Sequence, residues 1–404
     1  MEDWKEYRLG EMIQCNPQVK LEKGKSYNLI DIDSIEIGSR YVKGKELTVY
    51  DGQSGCHFQN GDTVMARITP CLENGKIAQV QCESQKGFGS TELFVFRGTE
   101  NKTDSDYVFN LMSMQFIRNL AANSMTGASG RQRADLGFIK RIKWNFPPLR
   151  TQQKIASILS AYDNLIQNYK KQIEALQTAA SELYKEWFVR FPGYKNSRFE
   201  NGIPEGWKIE RLGNLFEITS SKRVFEEDYV NEGIPFYRSK EIIELSNNQE
   251  ITTELFISNE LYAKFKNKFG VPKENDILIT SVGSIGNSYQ VRKDDIFYFK
   301  DGNLTWIKSS SKKALSKYLI YWLKSDLGKN TLISSTIGTS QSALTIEKLR
   351  AIKILVPEVN ILEKFEQKIS SFDIKIQILN KQIANLTQQR DLLLPRLMSG
   401  KLEV

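Results

Sequence analysis

The chain has 404 residues, enough for two or three domains with hydrophobic cores of their own. Lysine and arginine number 56 against 48 for aspartate and glutamate, and the net charge of +8 favours a polyanionic partner, although a basic housekeeping protein has a similar balance. No two cysteines form a Cys-x-x-Cys pair, so we expect neither a zinc site nor a disulfide framework from Cys15, Cys56, Cys71 and Cys82.

The amino-terminal residues lack the apolar run of a signal peptide, and no stretch reaches the apolar length of a membrane span. Together with the unpaired cysteines, this predicts a cytoplasmic protein.

Residues 1–150 read as a mixed segment of short strands, turns and a helix. Gly61–Arg67 is a predicted turn that enters an apolar strand, Glu92–Arg97 is another predicted strand, and Phe109–Leu120 is a predicted helix. His57, the only histidine, lies in no motif that would make it a catalytic base, and we interpret it as a half-buried strand or turn residue.

Residues 151–190 form a predicted long helix. Apolar side chains recur at alternating intervals of four and three residues, which is the seam of a coiled coil. The seam consists of Ile155, Leu159, Tyr162, Ile166, Tyr169, Ile173, Leu176, Ala180, Leu183 and Trp187.

Residues 191–357 repeat the first segment. Trp4–Gly10 returns as Trp207–Gly213, and a second turn and strand lie at Asn275–Thr280, followed by a predicted helix at Leu315–Leu323. The cores of the two segments look alike, whereas the connecting loops differ in length and charge. This pattern is typical of two related domains with different targets.

Residues 358–404 contain a second heptad helix and a tail. Arg390 interrupts its seam, and Pro395 is predicted to kink or end the helix. The second seam consists of Phe365, Ile369, Phe372, Ile376, Leu379, Ile383, Leu386, Leu393 and Leu397.

The two heptads indicate one intramolecular coiled coil. We prefer this to the alternative in which each helix packs on its own domain, because about five repeats occur twice in the same register. Equivalent helices packed through equivalent faces run antiparallel. The predicted fold class is therefore α+β, with two similar mixed α/β domains joined by a long antiparallel coiled coil in a pseudo-twofold molecule. The coil would be about 48 Å long, more than the roughly 34 Å of one DNA turn.

Several loops carry residue types that contact DNA. Arginine pairs with guanine or phosphate, glutamine pairs with adenine, and small polar loops let the backbone approach phosphates. Taken alone, each loop fits a solvated surface turn better than a base contact, but together they indicate a DNA surface. The predicted contacts are Arg67, Lys76, Arg131, Gln132, Arg133, Lys222, Arg223, Arg238, Lys240, Ser284 and Gln341.

Motifs for catalysis are absent from the sequence. No phosphate-binding loop and no Gly-x-Gly-x-x-Gly after a strand occurs, and the residues Asn145–Pro148 have the wrong order for an adenine methyltransferase motif. We therefore predict a chain with no catalytic and no metal-binding residues. Two alternatives remain at this point: a self-contained DNA methyltransferase or nuclease, and a coiled-coil adaptor that reads no bases.

Five segments carry a resemblance to a known family: Phe146–Ala156, Leu183–Phe188, Gly233–Phe236, Asp276–Thr280 and Leu393–Leu402. In their order and duplication they resemble the specificity subunit of type I restriction–modification systems. The resemblance covers the whole chain, although the second proline–glutamine motif is degenerate at Val356–Val359.

The resemblance implies a non-catalytic subunit with two target recognition domains, each reading one half of a bipartite site on double-stranded DNA. It implies that the helices space the domains and dock two modification subunits, and that restriction subunits join the full complex. S-adenosylmethionine is then expected on the modification subunits, and ATP and magnesium on the restriction subunits. Neither the target sequence nor the spacer length follows from the residues.

Overall fold

The computed structural model describes residues 4–128, 130–190, 199–200, 203–247, 249, 251, 253–309, 313–336 and 342–404. The chain divides into two compact units, Met1–Ile173 with Gln377–Val404, and Glu174–Ile376. Each unit therefore holds one globular domain and a half of each long helix. Among the helices of the described ranges, none combines the length and the apolar composition that a transmembrane span requires.

The first domain contains eleven strands and four short helices in its described residues. In chain order they are β1 (Lys5–Arg8), α1 (Leu9–Met12), β2 (Ile13–Cys15), β3 (Ser26–Ile30), β4 (Tyr41–Val42), β5 (Leu47–Val49), β6 (Cys56–Gln59), β7 (Thr63–Ala66), β8 (Ile77–Val80), β9 (Lys86–Gly89), β10 (Leu93–Gly98), α2 (Ser105–Ser113), α3 (Gln115–Asn123), α4 (Leu136–Arg141) and β11 (Lys143–Phe146).

Two sheets form the body of the first domain. One has the order β2-β10-β7-β8-β4 and the other β5-β3-β9-β6, while β1 pairs with β11. The central strand β7 is buried along its whole length, as its apolar residues predict. Helices α2 to α4 cover the five-stranded sheet and contribute to its core, which includes Met65, Phe94 and Tyr107.

The first long helix, α5 (Leu149–Phe188), leads to the second domain. The elements of that domain are β12 (Phe199–Glu200), β13 (Ile203–Pro204), β14 (Lys208–Arg211), α6 (Leu212–Leu215), β15 (Glu217–Thr219), β16 (Tyr229–Val230), β17 (Ile234–Tyr237), α7 (Ser239–Ser246), β18 (Phe256–Ile257), α8 (Asn259–Lys268), β19 (Ile277–Thr280), β20 (Ser288–Gln290), β21 (Tyr298–Phe299), β22 (Leu304–Lys308), α9 (Lys313–Lys324), α10 (Asp326–Ser334), α11 (Ile346–Ala351) and β23 (Lys353–Val356); α12 (Val359–Met398) follows.

The second domain repeats the sheet plan of the first. Its main sheet has the order β15-β22-β19-β20, which matches β2-β10-β7-β8, and β14 pairs with β23 as β1 pairs with β11. A further sheet, β16-β18-β17-β21, includes a parallel pair between β17 and β21. The fold class predicted from the sequence is confirmed.

The two long helices run antiparallel, as contacts inside each unit show. In the first unit, Ile155 and Leu159 near the start of α5 pack with Leu393 and Leu397 near the end of α12. In the second unit, Phe188 at the end of α5 packs against Phe365 near the start of α12, with ring centroids 4.8 Å apart. The alternative in which each helix packs only on its own domain is wrong, although the helix pairs do merge with the domain cores.

The predicted seam residues are all buried or half-buried. Toward the end of α5 the most buried side chains are Tyr184 and Phe188 rather than the predicted Leu183 and Trp187. The apolar face widens there because both helices also cover the core of the second domain, which a strict heptad does not describe.

Arg390 interrupts the second seam because it binds a buried acid. Its guanidinium donates to Asp163 of α5 at 2.8 Å. Arg40 of the first domain binds the other oxygen of Asp163 at 3.0 Å, and the Asp163 side chain is only 4% exposed. Two guanidiniums thus neutralise one carboxylate at the place where domain and helices meet in the first unit.

Two helix predictions need correction. The predicted helix Phe109–Leu120 is two helices, because Met114 between α2 and α3 has extended ψ of 132°. Helix α12 continues through Pro395 to Met398, so the prediction that it ends at this proline is wrong, whereas the predicted kink stays a prediction. Leu397 and Met398 are buried in the first unit's core, and this packing holds the last turn despite the proline.

Candidate nucleic-acid interface

Residues far apart in the sequence meet at the end of β7. The backbone of Ile68 bridges to Arg133, and the amide of Thr69 donates to the Gln132 carbonyl at 3.0 Å. The amide of Ala134 donates to the Arg67 carbonyl at 2.8 Å. Four predicted contacts, Arg67, Arg131, Gln132 and Arg133, therefore lie along one edge of the first domain.

The three arginines of this edge are in different electrostatic states. Arg133 forms a two-pronged ion pair with Glu92, with its closest approach at 2.6 Å. This hydrogen bonding lowers the pKa of Glu92 below its usual value. Arg131 is exposed and makes no ion pair with the described part of the chain. Arg67 is half-buried and lies over the Phe94 ring, 4.8 Å from its centroid.

A cavity of about 450 Å³ opens beside Arg67. Its polar groups include guanidinium, ammonium, amide, hydroxyl and imidazole groups, and strand residues supply an apolar wall. The lining residues that matter here are Arg67, Lys20, Asn16, Gln18, Thr91 and Leu93.

His57, which also lines this cavity, has two internal neighbours. Its Nδ1 lies 3.0 Å from the Val19 carbonyl oxygen and its Nε2 lies 3.2 Å from the Tyr50 hydroxyl. As predicted, it is a half-buried strand residue of β6. The cysteines are free thiols, and burial raises the pKa of Cys15, Cys56 and Cys82.

Lys76 is engaged within the first domain. Its ammonium donates to the Ile32 carbonyl at 2.9 Å and lies 3.7 Å from the Asp33 carboxylate. The Lys76 side chain is half-buried, so less of it is available to contact DNA than the sequence alone indicates.

The second domain gathers its basic residues at one sheet edge. Strands β17 and β21 are parallel, with Tyr237 opposite Phe299, so the residues after them share an edge. Arg238 follows β17, and Arg223 reaches the same edge by an ion pair of 3.0 Å with Asp301.

The predicted cations of the second domain are Lys222, Arg223, Arg238 and Lys240. Three of these four side chains contact acids. Arg238 pairs with Glu241 at 2.9 Å, and Lys240 lies 3.9 Å from Glu244. Burial opposes the ionisation of Glu241, but hydrogen bonds from Arg238 outweigh it, and the pKa of this carboxyl lies below its usual value. Lys222 instead lies over the Phe269 ring, 4.9 Å from its centroid.

Two predicted residues of the second domain remain. Ser284 is exposed in the turn between β19 and β20, where its carbonyl accepts from the side-chain Nδ2 of Asn287 at 2.9 Å. Gln341 lies outside the described residues. Within the described ranges, no group of three His, Cys, Asp or Glu side chains is placed to hold a metal ion.

The sequence alone did not identify the acids and the aromatic ring that these basic residues contact. Glu92, Phe94, Glu241 and Asp301 were not singled out, and the only available signal was their position at or near strand ends. The geometry thus supplies two basic edges, one in each domain, with hydrogen-bond donors suited to phosphates and base edges.

Comparison with known proteins identifies this duplicated plan. The family model described as "Type I restriction modification DNA specificity domain" matches residues 1–178 and 204–388. The chain belongs to this family. The two matches cover both domains and most of both long helices, in agreement with the internal repeat.

Individual relatives belong to the same family. The chain is 31% identical over 308 residues to the type I restriction enzyme MjaIX specificity subunit of Methanocaldococcus jannaschii, covering 74% of this chain and 69% of the relative. It is 25% identical over 417 residues to the MjaVIII specificity subunit of that organism, covering 100% of this chain and 94% of the relative. The crystal structure of a type I restriction–modification S subunit from M. genitalium is similar in fold, with a TM-score of 0.55 at 18% identity over 98% of this chain and 96% of that chain.

Proposed function

We propose that this chain is the non-catalytic, DNA-reading subunit of a cytoplasmic type I restriction–modification complex. Each domain contacts one half of a bipartite site on double-stranded DNA. The long helices set the distance between the half-sites and bind two modification subunits, and restriction subunits join the full complex.

One observation carries this proposal: the same strand order occurs in two domains that carry different basic side chains. Family membership supports DNA specificity as the role, and the repeated sheets support two readers built alike. The basic side chains of the two domains differ in identity and in the acids that they contact, which suits two half-sites of different sequence. Exposed cations such as Arg131 attract the phosphates, while side chains with fixed geometry discriminate bases.

The chemistry is assigned to the partners. S-adenosylmethionine would bind the modification subunits and serve adenine methylation, and ATP and magnesium would bind the restriction subunits. This chain contributes binding and positioning of the DNA.

The proposal is tested with the chain purified alone and with its modification subunits. We expect the complex to methylate adenine in a bipartite motif and to bind DNA with a strong salt dependence, because phosphate contacts release counterions. The chain alone should bind no S-adenosylmethionine in calorimetry. Methylation by the chain alone would favour a self-contained enzyme, and a stable complex with no sequence-specific DNA affinity would favour an adaptor.

A further inference from the structure

The residue after the central strand occupies the same place in both domains. Met65 lies opposite Phe94 across β7 and β10, and Ile279 lies opposite Thr305 across β19 and β22. Two residues further on are Arg67 and Ser281. The backbone confirms this equivalence, because the Ala134 amide donates to the Arg67 carbonyl at 2.8 Å and the Leu344 amide donates to the Ser281 carbonyl at 2.9 Å.

The side chains at this shared position differ in chemistry. In the first domain the Arg67 guanidinium stacks on Phe94 at 4.8 Å. In the second domain the hydroxyls of Ser281 and Thr305 form a hydrogen bond of 2.6 Å. The first domain thus has a cation on an aromatic ring where the second domain has two neutral hydroxyls. Both residues of the pair differ between the domains.

The residues beside this position also differ in charge between the two domains. The amide of Arg67 donates to the Glu92 carbonyl, and the amide of Ser281 donates to the Asn303 carbonyl, so Glu92 corresponds to Asn303. Arg133 bridges to Ile68 as Ala343 bridges to Val282. In the first domain Arg67, Glu92 and Arg133 are therefore charged. Their counterparts in the second domain, Ser281, Asn303 and Ala343, are neutral.

Arg67 is oriented but incompletely paired. Its Nε is buried and has no hydrogen-bond partner among the described residues. The neighbouring acid, Glu92, is already held by two bonds from Arg133. A buried donor without an acceptor is costly, so the guanidinium is incompletely satisfied within the chain. The ring of Phe94 meanwhile fixes the plane of the guanidinium.

We propose that Arg67, supported by Phe94, reads a guanine in the half-site contacted by the first domain. The inference rests on the proposed function and names the residue that determines one base of that half-site. Arginine with a fixed plane donates two bonds to O6 and N7 of guanine, which is the commonest specific contact in the major groove. The Ser281–Thr305 pair cannot make this contact, so the second half-site is read differently at the equivalent position.

The surroundings favour a base edge over a phosphate. Besides Lys20, whose ammonium only donates, the cavity beside Arg67 presents Gln18 and Thr91, whose amide and hydroxyl both donate and accept hydrogen bonds. A base edge offers donors and acceptors together, whereas a phosphate offers acceptors alone.

The test uses the whole chain with its modification subunits and compares Arg67→Gln, Arg67→Lys and Phe94→Leu. Arg141→Gln, an exposed arginine of α4 in the same domain, removes the same charge as a control. Methylated adenines are mapped genome-wide, and binding is measured on the cognate site and on sites with single-base changes at several salt concentrations.

We expect Arg67→Gln to lose about ten- to a hundredfold discrimination at one guanine of one half-site. Arg67→Lys keeps the charge but loses the two-pronged geometry, so it should relax the same base. Phe94→Leu should cause a smaller loss at that base, and Arg141→Gln should leave the motif unchanged. Thermal melting checks whether each variant is folded. If Arg67→Gln is unfolded, the base discrimination of Arg67→Lys decides whether Arg67 reads the guanine.

Two results would overturn the inference. One is an unchanged motif and unchanged discrimination in both Arg67 variants. The other is an equal loss on all sequences in Arg67→Gln with a smaller salt dependence, which identifies a phosphate contact. If the native complex recognises no bipartite motif, the proposed function itself fails. If the native motif is found and the Arg67 variants match it, only the assignment of Arg67 fails.

Discussion

The ion-pair state of each basic residue separates candidates that look alike in the sequence. Arg133 is held by Glu92, whereas Arg131, two residues earlier, is exposed and makes no ion pair with the described residues. Arg223 is held by Asp301, while the neighbouring Lys222 lies over an aromatic ring. A cation already paired with an acid gains less from a phosphate, because the existing bond must be broken or shared.

Charge reversal at Arg131 or Lys222 should therefore weaken DNA binding by the complex on all sequences. Loss of one phosphate contact lowers the salt slope by about 1, which binding titrations at several salt concentrations measure. Lys353→Glu, an exposed change on β23, is the matched control and should bind normally. Normal methylation by reversals at all six positions, Arg131, Arg133, Lys222, Arg223, Arg238 and Lys240, would refute the assignment.

The buried carboxylate of Asp163 gives a stability prediction. Arg40 and Arg390 both bind it, and the Arg40 side chain is only 2% exposed. Asp163→Asn removes the buried counter-charge that the two guanidiniums share and leaves them only the more exposed Asp106 and Asp391. It should lower the free energy of unfolding by about 3–5 kcal/mol.

Chemical denaturation followed by circular dichroism measures this loss. The control is Asp391→Asn, because Asp391 also binds Arg390 but is 57% exposed, and an exposed pair contributes about 0–1 kcal/mol. Equal stability of Asp163→Asn and the native chain would show that the two arginines are not held by this charge.

At the scale of elements, the long helices owe their pairing to the heptad seam. The seam side chains are buried or half-buried, while Ile374 and Ile378 of α12 are exposed. The periodicity alone assigns these faces, because positions three and four apart lie on one side of a helix.

Aspartate in the seam should separate the helices. Ile166→Asp or Ile376→Asp places a lone carboxylate where the native side chain is 6% or 8% exposed, at a cost of several kcal/mol. Ile374→Asp, at a position 57% exposed on the same helix, should be close to neutral. Small-angle scattering of the three variants should show altered domain spacing in the first two only. If all three variants scatter like the native chain and are as stable, the seam is not what holds the two helices together.

At the scale of the whole molecule, duplication is the organising feature. The same strand order, the same domain-to-helix connection and a long helix each occur twice. A duplicated reader suits a site in two parts, and the helices then set the distance between the parts.

Lengthening both helices should lengthen the spacer in the recognised site. Four residues inserted near Ala175 and near Asn385 add about 6 Å at 1.5 Å per residue. At about 3.4 Å per base pair, this corresponds to one or two base pairs. A four-residue insertion is a stutter, which the coiled coil accommodates by local unwinding.

Genome-wide sequencing of methylated adenines checks this expectation, with both half-sites expected to be unchanged. The same insertion in the exposed loop at Gly52 of the first domain should leave the spacer as in the native chain. A native spacer at full activity in the helix variant would show that another element measures the distance.

The amino-acid sequence by itself determined the duplication, the mixed domains and the long paired helices. These features are periodic or repeated, so residue order alone carries them, as the recurrence of Trp4–Gly10 and the two heptads show. The turn and strand ending at Arg67 were also recognisable, because their pattern is local.

Only the tertiary structure decided which charged residues are available and which positions correspond. Arg40 meets Asp163 across 123 residues of sequence, and Arg133 meets Glu92 across 41. These contacts depend on strand register and on packing between distant segments, which no local pattern records. The same reason explains why Arg67 on Phe94 and Ser281 with Thr305 could be compared only once both sheets had been seen.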